Sequence, residues 1–221
     1  MPNDDEATNE QLLVAGARAF GVELSPDQIH PFGQYLDLLA FWNRRLNLTA
    51  IRDPELVVRR HFVDSFSVVP FLSGDRGILD VGSGAGFPGI PIKLALPGKA
   101  VHLVEPRRKR ANFLRQVARE LQLADVHVIE RRMEDLSAEP LPSMRETVTR
   151  GFSDIHGFLK ASADLLGPGG MAVVMHGPKG MTILDELRAC ISGYGLAEGE
   201  SSHFELPFGG EQRTVLTFRK T

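Results

Sequence analysis

Apolar residues in the first third of the chain recur at helical spacing, and no stretch there alternates as a strand would. The pattern predicts one helix over Asn9 to Phe20 and a second from Ser25-Pro26, with Phe32, Tyr35, Leu36, Leu39, Trp42 and Leu46 forming a single apolar stripe. That stripe reads as core. Asn47, Leu48 and Thr49 end the second helix, and Asp53-Pro54 opens a third that carries Val57, Val58 and the run HFVDSFSVV. From Gly77 the periodicity changes. Strands are predicted at Gly77–Val81, Ala100–Glu105, Val126–Glu130, Glu146–Thr149 and Met171–Met175, with helices between them. The clearest helix spans Arg108 to Leu121, where Ala111, Leu114, Val117, Ala118 and Leu121 share a face. Another, Asp154 to Leu166, is expected to stop at Gly167-Pro168-Gly169-Gly170, which supplies a helix end and a tight turn. A last helix around Met181 to Ser192 precedes a closing pair of strands, Gly195–Leu206 and Arg213–Arg219. Strands alternating with helices imply an α/β fold with a mostly parallel sheet covered on both faces. The expected organisation is a helical extension over residues 1–72 packed on an α/β domain over 73–221.

Composition narrows the setting. The 221 residues suffice for a full α/β core. Cys190 is the only cysteine, so neither an intrachain disulfide nor a thiolate zinc cluster is expected, no metal is expected, and a reducing compartment such as the cytoplasm suits the chain. The acidic start MPNDDEATNE lacks a basic region followed by an apolar core, and no apolar run approaches the roughly 20 residues of a membrane span. A net charge of -3 does not resemble a generic nucleic-acid coat. Basic residues are nevertheless clustered at Arg44-Arg45, Arg59–His61, Arg107–Arg110 and Arg131-Arg132. Such clusters are commonly solvated helix faces, and they make phosphate contacts only if the fold brings them to one face.

The densest chemistry lies in Gly77–Ile92, GILDVGSGAGFPGIPI. Ile78, Leu79 and Val81 make a short strand, the glycines at 82, 84, 86 and 89 let the backbone turn close to a ligand, and Pro88 and Pro91 fit a helix start. Gly84, Gly86 and Gly89 satisfy the dinucleotide pattern G-x-G-x-x-G, which leaves a nicotinamide oxidoreductase open. Asp80, two residues before the first glycine, favours S-adenosylmethionine instead, because a carboxylate attracts its ammonium and repels a pyrophosphate. The same aspartate is also a plausible cap for the turn. Glu105, nineteen positions after Gly86, is placed to accept from ribose hydroxyls in either cofactor class. After the third strand, Met133 can pack on an adenine ring and Glu134 can accept from its amine, while Glu134 and Asp135 equally suit the first turn of a helix.

These segments together resemble the bacterial 16S ribosomal RNA guanine-N(7) methyltransferases, the family also called glucose-inhibited division protein B. The resemblance runs from about Phe41 to Gly180 through WNRRLNLTAIRDP, RRHFVDS, ILDVGSGAGFPGIPI, LVEPRRKRANFLRQVARELQL, RRMED, TRGF and PKG. It implies a class I S-adenosylmethionine-dependent methyltransferase, Rossmann-like, with an N-terminal helical extension. It also implies cofactor contacts at Gly82 and Phe87, at Met133 and Glu134, and at Arg150, with Glu105 at the ribose position and Asp80 and Gly84 in the same turn. His61, Asp64, Lys109 and Arg110 match motif positions too, with His61, Lys109 and Arg110 as candidate RNA contacts. His61 reads equally as a core histidine bonded to a helix end. One departure falls at SMRETVTRGF, which lacks the family's usual Phe-Asp pair and has Gly151 where alanine is common.

The implied reaction is methylation of N(7) of a guanine in 16S rRNA, guanine 527 in standard rRNA numbering, by a monomer acting on the small subunit or its assembly intermediate. That nitrogen already presents an in-plane lone pair, so no general base is expected. Arg150 is the one candidate for a catalytic role, since a guanidinium suits the methionine carboxylate or an RNA phosphate. Phe87 and Phe152 are candidates to hold an extruded base. A noncatalytic RNA-binding protein with a vestigial cofactor site is the remaining alternative.

Overall fold

The computed structural model describes residues 7–73, 77–138 and 144–221; the acidic start of the chain, Met1–Glu6, lies outside them. Helix α1 (Asn9–Ala19) opens with a capping box between Thr8 and Gln11. Helix α2 (Pro26–Leu46) begins where the Gln28 side chain accepts the Ser25 N–H at 3.0 Å, and it ends on Asn47 in the left-handed region. The predicted stripe faces inward. Phe32, Tyr35 and Leu39 are each at most 1% exposed, and burying such a side chain contributes roughly 1.5–3 kcal/mol.

The third helical segment is not the single helix that its sequence suggests. Asp53 caps it, accepting from the Leu56 N–H at 3.1 Å, but α3 (Pro54–Val57) passes into a π-helical turn over Val58–Val63 before α4 (Asp64–Phe66) and a 3-10 turn (Val69–Phe71). The wide turn inserts a residue and rotates the helix face, a device that recurs at functional sites. Val57, Val58, Phe62, Val63 and Phe66 thereby all reach the core, while Arg60 and His61 stay half-buried.

The α/β part runs β1 (Ile78–Val81), α5 (Gly89–Ala95), β2 (Val101–Val104), α6 (Arg108–Glu120), β3 (Val126–Ile129), β4 (Met144–Arg150), α7 (Ile155–Leu165), β5 (Leu166–His176), α8 (Gly180–Arg188), β6 (Leu196–Glu198), β7 (Ser202–Glu205) and β8 (Gln212–Lys220). The sheet order is β3-β2-β1-β4-β5-β8-β6, with β7 also paired to β8. β3, β2, β1, β4 and β5 are parallel, and β8 is antiparallel to β5, β6 and β7. Strand residues alternate between two cores. Ile78, Leu103 and Val173 face α2, α5, α6 and the N-terminal helices, whereas Leu79, Val104 and Val174 face α7 and α8.

Two further expectations are corrected. The helix stop falls as expected, α7 ending at Leu165, but Gly167–Gly170 forms no separate turn: it lies inside β5 as an irregularity of the ladder, between the Met144–Leu166 and Glu146–Met171 pairs, with the Arg145 side chain donating to Pro168 O at 2.9 Å. The stretch Gly195–Leu206 is two short strands rather than one. The break falls at Gly199, where a Cβ would approach Thr217 Oγ1 to 2.4 Å. Among the described residues no helix is long and apolar enough to cross a membrane.

At the amino edge of the sheet a buried ion pair joins Lys99 to Glu146 at 2.7 Å, with side chains 1% and 2% exposed. Glu146 also accepts from the Ser73 hydroxyl at 2.6 Å, which ties the end of the N-terminal helical segment to β4. Removing one partner strands the other charge in the interior. Glu146→Leu is expected to cost about 3–5 kcal/mol in urea unfolding, and the double variant Lys99→Met/Glu146→Leu to recover most of that loss; a double variant as unstable as the single one contradicts the pairing.

Candidate active site at the carboxyl edge of the sheet

Strand register collects the site. Val81 is level with Val104 and Thr149, and Arg150 is level with Met175, so Gly82, Glu105, Arg150 and His176 emerge at one edge of adjacent strands. This is the carboxyl edge on either side of β1, where the strand order reverses and open α/β sheets bind ligands.

The turn after β1 depends on its glycines. Gly82, Gly84 and Gly86 have φ of +74, +59 and +100°, a region that side-chain-bearing residues rarely adopt. A Cβ at Gly89 would meet Leu103 Cδ2 at 2.4 Å and Asp80 Oδ2 at 2.7 Å. A Cβ at Gly84 would meet no clash, only ordinary contacts with Gly82 O at 3.7 Å and Arg110 Nη1 at 3.8 Å. Asp80 is wholly buried, and its Oδ2 accepts the Gly89 N–H at 2.9 Å. Its Oδ1 is buried with no hydrogen-bond partner among the described residues. Burial raises the Asp80 carboxyl from 3.8 to about 7, opposed by the Gly89 amide and by Arg150. Glu105, 3% exposed, braces the turn by accepting Gly84 N–H at 3.0 Å and Arg107 N–H at 2.8 Å. Each of its oxygens keeps a second lone pair for a hydroxyl.

The N-terminal helices close the site from above. The Tyr35 hydroxyl donates to Ala85 O in the turn, and burial raises its pKa well above the usual phenol value. The Phe87 ring is 4% exposed. It stacks on His61 (centroids 4.5 Å apart, 26°), lies near Tyr35 and Phe62, and carries the Arg150 guanidinium 4.9 Å from its centroid. Phe87 is therefore packed as a core ring, with little of its face open. Phe152, half-buried, is the aromatic beside the turn, 3.1 Å from where a Gly82 Cβ would stand.

Arg150 sits in a charge cluster. It donates to Asp64 Oδ2 at 3.3 Å and to Arg60 O at 3.2 Å, while Asp64 Oδ1 accepts from Arg213 at 3.0 Å. His61 Nδ1 lies between two groups of opposite character, the Arg60 carbonyl oxygen at 3.0 Å and Arg150 Nη2 at 3.2 Å, and its Nε2 is 2.8 Å from Thr49 Oγ1. Burial and the neighbouring Arg150 lower its pKa to about 3, so the ring stays neutral at physiological pH. These residues line a cavity of about 450 Å³ with Ile51, Met175, His176 and Gly177, and its cations outnumber its one carboxylate.

The other predicted residues occupy the same edge. Met133 is buried at the start of a 3-10 turn after β3, and Glu134 is exposed beside it. Arg110 Nη1 reaches to 3.8 Å from the Cβ position of Gly84, while Lys109 is exposed on the first turn of α6. Sequence reasoning missed Tyr35 and Arg213. Tyr35 was legible only as the one stripe residue with a hydroxyl; nothing near Arg213 in the chain points to Asp64.

Known proteins resemble this chain in sequence and fold. Residues 28–207 match the family model described as rRNA small subunit methyltransferase G. A ribosomal RNA small subunit methyltransferase G from Acetivibrio thermocellus is 34% identical over 99% of this chain and 91% of its own. The protein of that name from Myxococcus xanthus is 37% identical over 98% and 99%. Among solved structures, M. jannaschii TYW2 in complex with AdoMet superimposes with a TM-score of 0.54 at 18% identity, covering 68% of this chain and 72% of that one, a likeness of fold.

The buried carboxyl makes stability depend on pH. Asp80 titrates higher in the folded chain than the ordinary 3.8, so its contribution is complete below about pH 4 and is lost as pH rises through about 7. Melting temperatures measured from pH 5 to 8 should show the wild type losing stability relative to Asp80→Asn as pH rises; a constant difference, or the reverse trend, contradicts the burial argument.

Proposed function

The chain belongs to the rRNA small subunit methyltransferase G family, and on that premise we propose that it transfers a methyl group from S-adenosylmethionine to N(7) of guanine 527 in 16S rRNA. The observation that carries the reading is that the glycine turn over a buried carboxylate shares one edge of the sheet with a rim of unneutralised cations. Arg44, Arg45, Arg52, Arg107, Arg108, Lys109, Arg110 and Arg132 make no ion pair among the described residues, while Arg60, Arg150 and Arg213 of the cavity are paired with Glu211 and Asp64. Unpaired cations on a chain of net charge -3 fit a polyanion that arrives at this rim.

The residues present fit the cofactor. Asp80 Oδ1, without a partner among the described residues, suits its ammonium, Gly84 has no side chain to obstruct a close approach, and Glu105 retains acceptors for ribose hydroxyls. Met133 and Glu134 would flank the adenine. When bound, the cofactor supplies an electrophilic methyl group on a sulfonium. The chain's own part is alignment. Asp64 fixes Arg150, the turn is held by Tyr35 and Glu105, and Phe152 offers a ring against which the target base can lie. His61, its pKa lowered to about 3, is too weak a base to take up a proton near neutral pH, and no base is needed for a nitrogen with a free lone pair. Within this reading residues 1–72 are an extension of the catalytic domain at 73–221, and the protein acts as a cytoplasmic monomer on the small subunit or its assembly intermediate.

Tritiated methyl transfer to small subunits from cells lacking this modification, followed by mapping of the labelled nucleotide, tests the proposal. Label on N(7) of guanine 527 is expected; label on another base or on protein overturns it. The cofactor should also bind with a pH dependence. Only ionised Asp80 attracts an ammonium, so affinity is expected to fall as pH drops below about 7, and calorimetry on Asp80→Asn should give weaker binding without that fall. Unchanged affinity in the variant contradicts the role given to Asp80.

A further inference from the structure

Phe41 is 44% exposed, an unusual position for a large aromatic ring on a helix whose other aromatic residues face inward. Its neighbours explain how it is held. Phe41, Arg44 and Arg45 fall at i, i+3 and i+4 on α2, so they share a face, and the two guanidinium carbons lie 5.5 and 5.1 Å from the ring centroid. Trp42 packs edge-on against Phe41 at 5.9 Å and against Phe113 of α6 at 6.4 Å, anchoring the ring from the core side. Both arginines are exposed and neither has a carboxylate partner among the described residues. A ring overlain by two guanidinium groups that lack carboxylate partners has the features of a nucleic-acid stacking platform: ring and guanidinium planes for a base and cations for the adjoining phosphates.

Charge sets the orientation. A groove between α2 and α6, about 360 Å³ and lined by Phe41, Leu38 and Leu121, also carries Asp37 and Glu120. Those carboxylates repel a phosphate, so a sugar-phosphate chain is steered to the arginine side. That side leads toward the active site. Asn43, on the same turn of α2, is bonded in both directions to Thr49 at 2.9 and 3.0 Å, and Thr49 meets His61 beside Arg150.

We propose that Phe41, Arg44 and Arg45 form a stacking platform for one unpaired base of the substrate RNA, outside the cleft that receives the target guanine. The inference rests on the RNA methyltransferase reading for the identity of its ligand, and it adds an anchoring point that secures the RNA without touching the reacting atoms.

The test compares the full chain with Phe41→Leu and Phe41→Trp, measuring binding to protein-free 16S rRNA across a salt series and methyl transfer to small subunits. Phe41→Leu is expected to weaken RNA binding about 10-fold and to raise the KM for RNA with kcat and cofactor affinity unchanged. The salt slope should not move, since no charge is removed. Phe41→Trp should restore binding. Wild-type affinity in Phe41→Leu overturns the platform, as does equal weakening in both variants or a loss seen only when ribosomal proteins are present. If the wild type binds RNA in a Phe41-dependent way but transfers no methyl group, the platform stands and the methyltransferase reading falls.

Discussion

One carboxylate, Asp64, holds together the parts that make the site. It is buried between two guanidinium groups, at 3.3 Å from Arg150 and 3.0 Å from Arg213, and so joins the N-terminal helical segment to the end of β4 and to β8. A single charge removed from water costs several kcal/mol unless it is paired; here two cations share it. The arrangement leaves an excess of positive charge at the carboxyl edge. It also fixes Arg150 over Phe87, and through Phe87 it fixes the turn that follows β1.

The helical segment is thus a structural half of the ligand cradle. Tyr35 bonds the backbone of the glycine turn, Phe87 of that turn is packed among Tyr35, His61 and Phe62, and the shared aromatic cluster continues into the core beneath α2. Close packing transmits such contacts, because an interior at native density does not deform to absorb a misplaced ring. The π-helical turn over Val58–Val63 belongs to the same logic. It lets one short helix bury Phe62 and Val63 while presenting Arg60 and His61 to the cavity.

Much of this was legible in the chain. Periods of two and 3.6 locate β1, β2, β3, α2 and α6, and the glycine density with Asp80 locates the turn, because these signals are local. What escaped depends on distance or on context. The extra residue of the π-helical turn leaves no mark in a run of apolar and basic residues. Gly167–Gly170 reads as a turn until the pairs on either side of it, Met144 with Leu166 and Glu146 with Met171, draw it into the strand as an irregularity. Arg213 lies far along the chain from Asp64, and the burial of Phe87 arises only when α2 and the π-helical turn close over it. Composition told least about the substrate: a net charge of -3 does not reveal that several basic residues gather at one edge of the sheet.

The turn itself fits two cofactor classes by pattern, and the structure separates them by charge and topology. Dinucleotide folds continue their sheet with a parallel strand beside β5, where this chain has antiparallel β8. A pyrophosphate above Asp80 would face a buried, partnerless carboxylate oxygen. A sulfonium nucleoside that carries an ammonium would instead neutralise it. Calorimetric titration of the full chain at pH 7.5 with S-adenosylmethionine and, separately, with NAD is the most direct measurement of this claim. The account predicts saturable binding of the first and none of the second; binding of the dinucleotide with no response to S-adenosylmethionine would contradict it.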